Sequence, residues 1–203
     1  MEQFINQVTL RGELHTMPEY SHDNHGKRFF RFFLEVPRLS GAVDTLPVVV
    51  EESVLDTLDL SAGEMLTVTG QIRSHNIRTD GVRHLLIFVF ASSVICEDGE
   101  PVNEVILEGP LCKDPVYRRT PLGREICDVM LAVPRAFHRA DYLPCILWGR
   151  TAQEASQCAI RDTVRIYGRL QSRIYTKATG AGVEERTAYE ISALSAEFPE
   201  ELL

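Results

Sequence analysis

Several things are scarce in this 203-residue sequence, and each scarcity closes off a class of protein. There is one tryptophan and there are five cysteines. The cysteines (Cys96, Cys112, Cys127, Cys145, Cys158) form no C-x-x-C pair, follow no zinc-ligand spacing and are odd in number. They read as free thiols, most of them buried among apolar neighbours, in a reducing compartment. No run approaches the roughly 20 consecutive apolar residues of a membrane-spanning helix. The N-terminus lacks a basic stretch followed by an apolar signal core. These absences predict a soluble, cytoplasmic protein with no membrane partner. No G-x-S-x-G, Walker loop, H-E-x-x-H or paired-carboxylate signature occurs, so neither catalysis nor a cofactor is expected. His15, His22 and His25 share a loop, but without a cysteine or strand-fixed geometry they do not read as a metal site.

Positive charge is also scarce overall: the net charge is −8. Its distribution is uneven. Residues 1–100 hold 8 Lys/Arg against 15 Asp/Glu, whereas residues 101–203 hold 13 against 14, and those later cations are nearly all arginine. Net charge governs solubility and long-range steering, but a local patch governs contact, so a polyanion partner for the second half is not excluded.

What is present is an internal repeat. Shifted by 97, Asn6, Val8, Leu10, Gly12, Leu14, Gly26, Leu34, Val36-Pro37-Arg38, Asp44 and Leu46-Pro47 fall on Asn103, Val105, Leu107, Gly109, Leu111, Gly123, Leu131, Val133-Pro134-Arg135, Asp141 and Leu143-Pro144. One residue later in register, Gly70 and Ser74 fall on Gly168 and Ser172. The chain therefore reads as two tandem modules, residues 1–97 and 98–195, with a short acidic tail at 196–203. The joint, Cys96-Glu-Asp-Gly-Glu-Pro-Val102, is too short to let them swing freely.

Each module reads as strands near 6–14, 28–36 and 45–50 (103–111, 125–133 and 142–148 in the second). A helical segment follows (Ser53–Leu60, Thr151–Ile160), then a long strand with a central glycine and a last strand near 83–93 or 186–193. Thr151 and Glu154 have the spacing of a capping box. A chain of this order is mainly all-β: two tandem OB-folds, five-stranded Greek-key barrels with one short helix between strands 3 and 4.

The long strand of the second module sorts at period two. Val164, Ile166, Leu170 and Ile174 take one face; Arg165, Tyr167, Arg169, Gln171, Arg173 and Tyr175 take the other. Guanidinium groups interleaved with flat rings suit a flexible polyanion whose bases expose π-faces. In the first module Phe29, Phe30, Phe32 and Phe33 straddle one strand. Its inward pair is expected in the core, and Phe29 and Phe33 beside Arg31 are expected to meet another subunit or module.

Asn103-Glu-Val-Ile-Leu-Glu-Gly109, Arg118-Arg-Thr-Pro-Leu-Gly123, Leu147-Trp-Gly-Arg150 and Gly168-Arg-Leu-Gln-Ser-Arg173 give the second module a resemblance to bacterial single-stranded DNA-binding proteins (SSB). The first module resembles them more faintly, through Asn6-Gln-Val-Thr-Leu-Arg-Gly12 and Gly70-Gln-Ile-Arg-Ser74. The resemblance implies bases stacked on Phe137, Tyr142, Trp148 and Tyr175. The same positions in the first module are Ser40, Thr45, Glu51 and Ile77, none of them an aromatic ring. Arg118, Arg119, Arg135, Arg139, Arg150, Arg169, Arg173 and Lys177 are the cations expected to meet phosphates.

The expected function is binding of single-stranded DNA with low sequence specificity, in replication, recombination or repair, with a nucleoid-associated location. Two chains would assemble into a four-OB pseudo-tetramer. The family's glycine-rich linker and terminal Pro-Phe tip are not matched by Glu197-Phe-Pro-Glu-Glu-Leu-Leu203, so recruitment of replication or repair proteins is not evident. Two other readings stand beside this one. The chain could be a protein-interaction subunit of a primosome or mobile element that lost tight DNA binding, or an OB scaffold for RNA.

Overall fold

The computed structural model describes residues 4–79, 82–137, 139–179 and 182–199. The first half contains β1 (Asn6–Leu14), β2 (Glu19–Asn24), β3 (Lys27–Pro37), β4 (Val43–Glu51), α1 (Glu52–Leu55), β5 (Met65–Thr79) and β6 (Val82–Cys96). The second repeats that order as β7 (Val102–Pro110), β8 (Val116–Arg119), β9 (Glu125–Arg135), β10 (Arg139–Trp148), α2 (Gly149–Ala155), β11 (Thr163–Thr179) and β12 (Gly182–Glu197). All twelve strands join one sheet in the order β2-β3-β4-β6-β5-β1-β7-β11-β12-β10-β9-β8.

Each half curls that sheet into a barrel. β4 runs parallel to β6 and β10 parallel to β12, and the remaining pairings are antiparallel. In the first barrel β1 returns to β3 at Leu14–Leu34, and in the second Leu111 bridges Leu131, so both sheets close. Inward-facing apolar residues alternate along the strands. Leu10, Leu34, Leu46 and Leu66 fill one barrel, and Leu107, Leu131, Leu143 and Leu170 the other, all fully buried. Each such side chain contributes about 1.5–3 kcal/mol. These are two OB-folds in tandem, as the repeat and the strand order led us to expect.

Local differences from the sequence reading have simple causes. β2 and β8 are short and polar, so no apolar alternation marks them; each pairs only with the strand that follows it. His25 and Gly26 both take positive φ (48° and 76°), the requirement of a two-residue hairpin turn, and this ties β2 to β3. The helices are shorter than their apolar patterns suggested. α2 begins on Trp148 with no side-chain cap, and Thr151 donates its hydroxyl back to the Trp148 carbonyl instead of forming a capping box. β12 continues through Glu197, and Phe198 packs against the core, so the start of the supposed tail belongs to the barrel surface.

The long strands carry a bulge where the repeat places its glycines. Register shifts occur at Thr69/Gly70 and Tyr167/Gly168. A Cβ at either glycine would drive into a carbonyl of the paired strand, Phe90 or Ser192. Beyond the bulge β11 leaves β7 and pairs with β12 alone, giving a two-stranded ribbon; β5 and β6 do the same. An asparagine clamps each crossing. The Asn6 side chain donates to the Ile72 carbonyl and accepts from the Ile72 N–H, both at 2.8 Å; Asn103 does the same to Leu170 at 2.7 and 2.9 Å.

The barrels meet along β1 and β7. Val8 lies opposite Val105, Asn6 opposite Leu107, and Leu10 opposite Asn103. Since each residue of β1 has its repeat counterpart 97 positions on, the pairing is symmetric about a pseudo-two-fold axis at Val8 and Val105, the signature of an isologous contact.

Candidate nucleic-acid interface

Along β10 the inward positions Asp141, Leu143, Cys145 and Leu147 are buried. The alternate positions Tyr142, Pro144, Ile146 and Trp148 therefore share the outer face. Tyr142 is 44% exposed there. Trp148 is half-buried, and its indole N–H donates to Ser192 Oγ at 3.1 Å. Six residues of strand separate the two rings by roughly 20 Å. Phe137 stands in the β9–β10 turn at φ 61° and is 91% exposed.

The register carries that face onto the ribbon. Ile146 lies beside Ser192 and Ser192 opposite Arg169; along the ribbon Gln171 faces Glu190, Arg173 faces Ala188, and Tyr175 faces Arg186. Paired residues point to the same side. Trp148, Arg169, Arg173, Tyr175 and Arg186 thus lie on one side of the sheet. The Arg173 guanidinium sits 5.7 Å from the Tyr175 ring centroid, a cation–π pair that pre-orders both. Arg186 was missed by the sequence reading, because its membership comes from cross-strand register with β11.

The expected phosphate-facing cations are placed unequally. Arg118 pairs with Asp128 at 2.7 Å, Arg119 with Glu125 at 2.9 Å, and Arg150 with Glu154 one helical turn on at 2.8 Å, the arginine side chain being exposed in each. Ion pairs this open to solvent are individually weak, so a phosphate can replace the carboxylate cheaply. Arg139 is exposed and makes no ion pair among the described residues. Arg169 has a buried Nε without a hydrogen-bond partner among the described residues. Arg173 lies 3.7 Å from Glu190. Lys177 is on β11 opposite Glu184, but its side chain lies outside the described residues, as does His138.

Arg135 departs from the expectation. It turns towards the fully buried Asp141, 3.3 Å away, and burial, with Arg73 and Arg139 nearby, pushes its pKa below the usual guanidinium value. Ile174 is a second departure. The period-two pattern puts it on the apolar inner face with Leu170, but it is 68% exposed, because by that point the ribbon has run past the barrel. Gln171 keeps its side yet is buried, donating to Glu190 at 2.8 Å. Arg165 and Tyr167 are held by carboxylates: the first by Glu108 and Glu197, the second by Glu197.

The first barrel presents a different face. Glu51, the counterpart of Trp148, pairs with Lys27 at 2.8 Å and accepts from Ser53; those hydrogen bonds hold its carboxyl below its ordinary pKa. Ser40 is exposed on a loop, while Thr45 and Ile77 are half-buried. Phe29, opposite Glu51, is only 5% exposed and not free for another subunit. His22 stacks on it (centroids 5.0 Å apart, planes 12°), and Phe90 lies 5.8 Å away. The other histidines of that stretch are also accounted for: His15 reaches Glu35 at 3.0 Å, and His25 shapes the turn. No cluster of three metal-binding side chains occurs among the described residues.

The cysteines are free, and Cys127, Cys145 and Cys158 are buried; Cys96 is exposed, contrary to its apolar context. Burial pushes the Cys127 and Cys158 thiols up to about 11. No described helix is long and apolar enough to cross a membrane.

Two closed OB barrels on one pseudo-two-fold seam, with rings and guanidinium groups on the outer face of the second, define a tandem OB-fold protein with an asymmetric pair of faces. The profile of the "Single-strand binding protein family" matches residues 102–199. The single-stranded DNA-binding protein B of Bacillus subtilis is 40% identical over 88 residues, which cover 40% of this chain and 78% of that protein. Single-stranded DNA-binding protein 2 of Listeria innocua is 34% identical over 89 residues, covering 40% of this chain and 56% of its own length.

The chain belongs to the single-strand binding protein family. Nearly its whole length is matched by crystal structures of the single-stranded DNA binding protein from Thermus aquaticus. A deletion mutant of that protein is 26% identical with a TM-score of 0.77, over 98% of this chain and 96% of that one. The wild-type protein is 24% identical with a TM-score of 0.79, over 97% and 94%.

Proposed function

We propose that this protein binds single-stranded DNA through the second barrel, residues 98–195, with little sequence preference, and that the first, residues 1–97, serves mainly as a structural partner. Bases stack on Phe137, Tyr142, Trp148 and Tyr175. Arg118, Arg119, Arg139, Arg150, Arg169, Arg173 and Arg186 take phosphates, and Arg135 is left to Asp141. The observation that carries this reading is the shared outer face, where Trp148, Arg169 and the Arg173–Tyr175 pair follow one another from barrel to ribbon. Every base has a π-face, so stacking tolerates any sequence, and each platform contributes about 1–3 kcal/mol.

The fold-wide match to a two-barrel DNA-binding protein and the identity to shorter family members both support the reading. Protection of exposed strands during replication, recombination or repair is the role that fits, and two chains would form a four-barrel assembly. The lone tryptophan is the reporter. Oligo-dT added to the full chain should quench its fluorescence, added salt should reverse the quenching, and light scattering should give two chains per particle. An unchanged signal at micromolar protein would leave the first barrel's acidity and missing rings as the better guide, favouring a protein-interaction subunit. Competition by oligo-U decides between DNA and RNA.

A further inference from the structure

The two barrels do more than abut along β1 and β7: each reaches into the other's ribbon with a buried carboxylate. Asp44 of the first barrel is fully buried and accepts from the Ser172 N–H at 2.6 Å and from the Ser172 hydroxyl at 3.0 Å. Arg38 holds that carboxylate through its Nε at 2.7 Å and extends a second donor to the Ser172 carbonyl at 2.8 Å. The contact recurs in reverse. Asp141 of the second barrel, also fully buried, accepts from the Ser74 N–H at 2.7 Å and from Arg73 at 3.1 Å. The Ser74 hydroxyl accepts from the Tyr142 N–H at 2.7 Å.

These two points of contact adjoin the proposed DNA face, gripping the chain beside its rings. Ser172 directly precedes Arg173, at the place where β11 has left the barrel and only β12 supports it. Tyr142 is the exposed ring that opens the outer face of β10. A two-stranded ribbon with one ladder is marginally ordered in water, and stacking depends on where its rings stand. Buried charge-assisted hydrogen bonds are short, directional and costly to leave half-made.

We propose that Arg38, Asp44 and Ser74 of the first barrel are positioning residues for DNA binding by the second. Arg38 and Asp44 set the root of the ribbon that carries Arg173 and Tyr175, and Ser74 sets the backbone of Tyr142. The first barrel, whose own face lacks the rings, thereby supplies part of the geometry of a site it does not itself line. This rests on the reading of the second barrel as the single-stranded DNA site.

The test is a double-mutant cycle in the full-length chain, read by anisotropy of labelled oligo-dT well below the melting temperature. Asp44→Asn should weaken binding about fivefold, a typical coupling between groups in one hydrogen-bonded network. In an Arg173→Ala/Tyr175→Ala background the same change should cost less than about twofold, because the groups it positions are gone. Val48→Ala, a cavity in the first barrel's core, should lower the melting temperature and leave affinity unchanged, separating positioning from stability.

If Asp44→Asn does not fold, Ser74→Ala decides. It should weaken binding about threefold in the parent and have no further effect in Tyr142→Ala. Loss of affinity that persists undiminished in the ring-deleted backgrounds, or no loss at all in the folded single variants, overturns the positioning role. If the Arg173→Ala/Tyr175→Ala and Tyr142→Ala variants bind as tightly as the parent, the DNA-binding reading of this face falls and the positioning role falls with it.

Discussion

Replacing Trp148 is the sharpest test of the interface, because its ring has two separable duties. The indole N–H is bonded to Ser192 Oγ on β12, and the ring lies half-exposed on the outer face of β10. A full platform contributes about 1–3 kcal/mol by alanine substitution. With part of the ring covered by the sheet, about 1–2 kcal/mol remains for a base, a loss of roughly 5- to 30-fold in affinity for Trp148→Ala. Trp148→Phe keeps a ring and drops the N–H. It should cost about 1 kcal/mol of stability through the orphaned Ser192 hydroxyl, while affinity stays within about threefold.

Both variants lack the fluorophore, so the assay is anisotropy of a labelled oligo-dT across a salt series. Stacking releases no counterions, so the slope of log K against log salt should not change in Trp148→Ala. Arg173→Ala should flatten it by about 0.7, the contribution of one phosphate on a single strand. A folded Trp148→Ala variant that binds within twofold of the parent, or one whose salt slope falls as if a cation had gone, would refute the assignment.

Four other outcomes follow from the geometry. Gly168→Ala should lower stability by about 1–3 kcal/mol in urea titration, because its Cβ meets the Ser192 carbonyl and overpacking of this kind strains the backbone. Thr45→Ala and Glu51→Ala should leave DNA affinity within about twofold by anisotropy, since the first barrel offers no stacking ring at those sites. With native protein a thiol reagent should label Cys96 first, and urea should release Cys127, Cys145 and Cys158. The Cys127 and Cys158 thiols titrate higher folded than unfolded, so the folded state keeps its protons longer. Their contribution is whole at neutral pH and drains away between about pH 9 and about 11, which chemical denaturation across that range will show.

Most of the architecture was legible because strands with one buried face write their alternation into the sequence, and because the chain writes it twice. The 97-residue shift even marked Arg38, Asp44, Ser74 and their counterparts. It could not show that Asp44 answers Ser172 and Asp141 answers Ser74, since a repeat compares equivalent residues and these contacts join non-equivalent ones across the axis. The ribbon hid for a related reason. Period-two reasoning assumes a core on one side; Leu170 still has one, but at Ile174 the ribbon has run past the barrel and the same face is open to solvent. Phe29 was misjudged because its cover, His22, comes from β2, a strand too short and polar to be seen.

The Val8–Val105 seam has a consequence for how such a protein can change. When a symmetric dimer is built from separate identical chains, any substitution appears on both sides of the axis at once, and a face cannot lose its rings without its twin losing them too. Here the halves are covalently one molecule, so each residue is present in a single dose. One barrel can give up Trp148's counterpart for Glu51 while the shared strand pairing stays intact. Symmetry persists in the backbone hydrogen bonds and is relinquished on the outside.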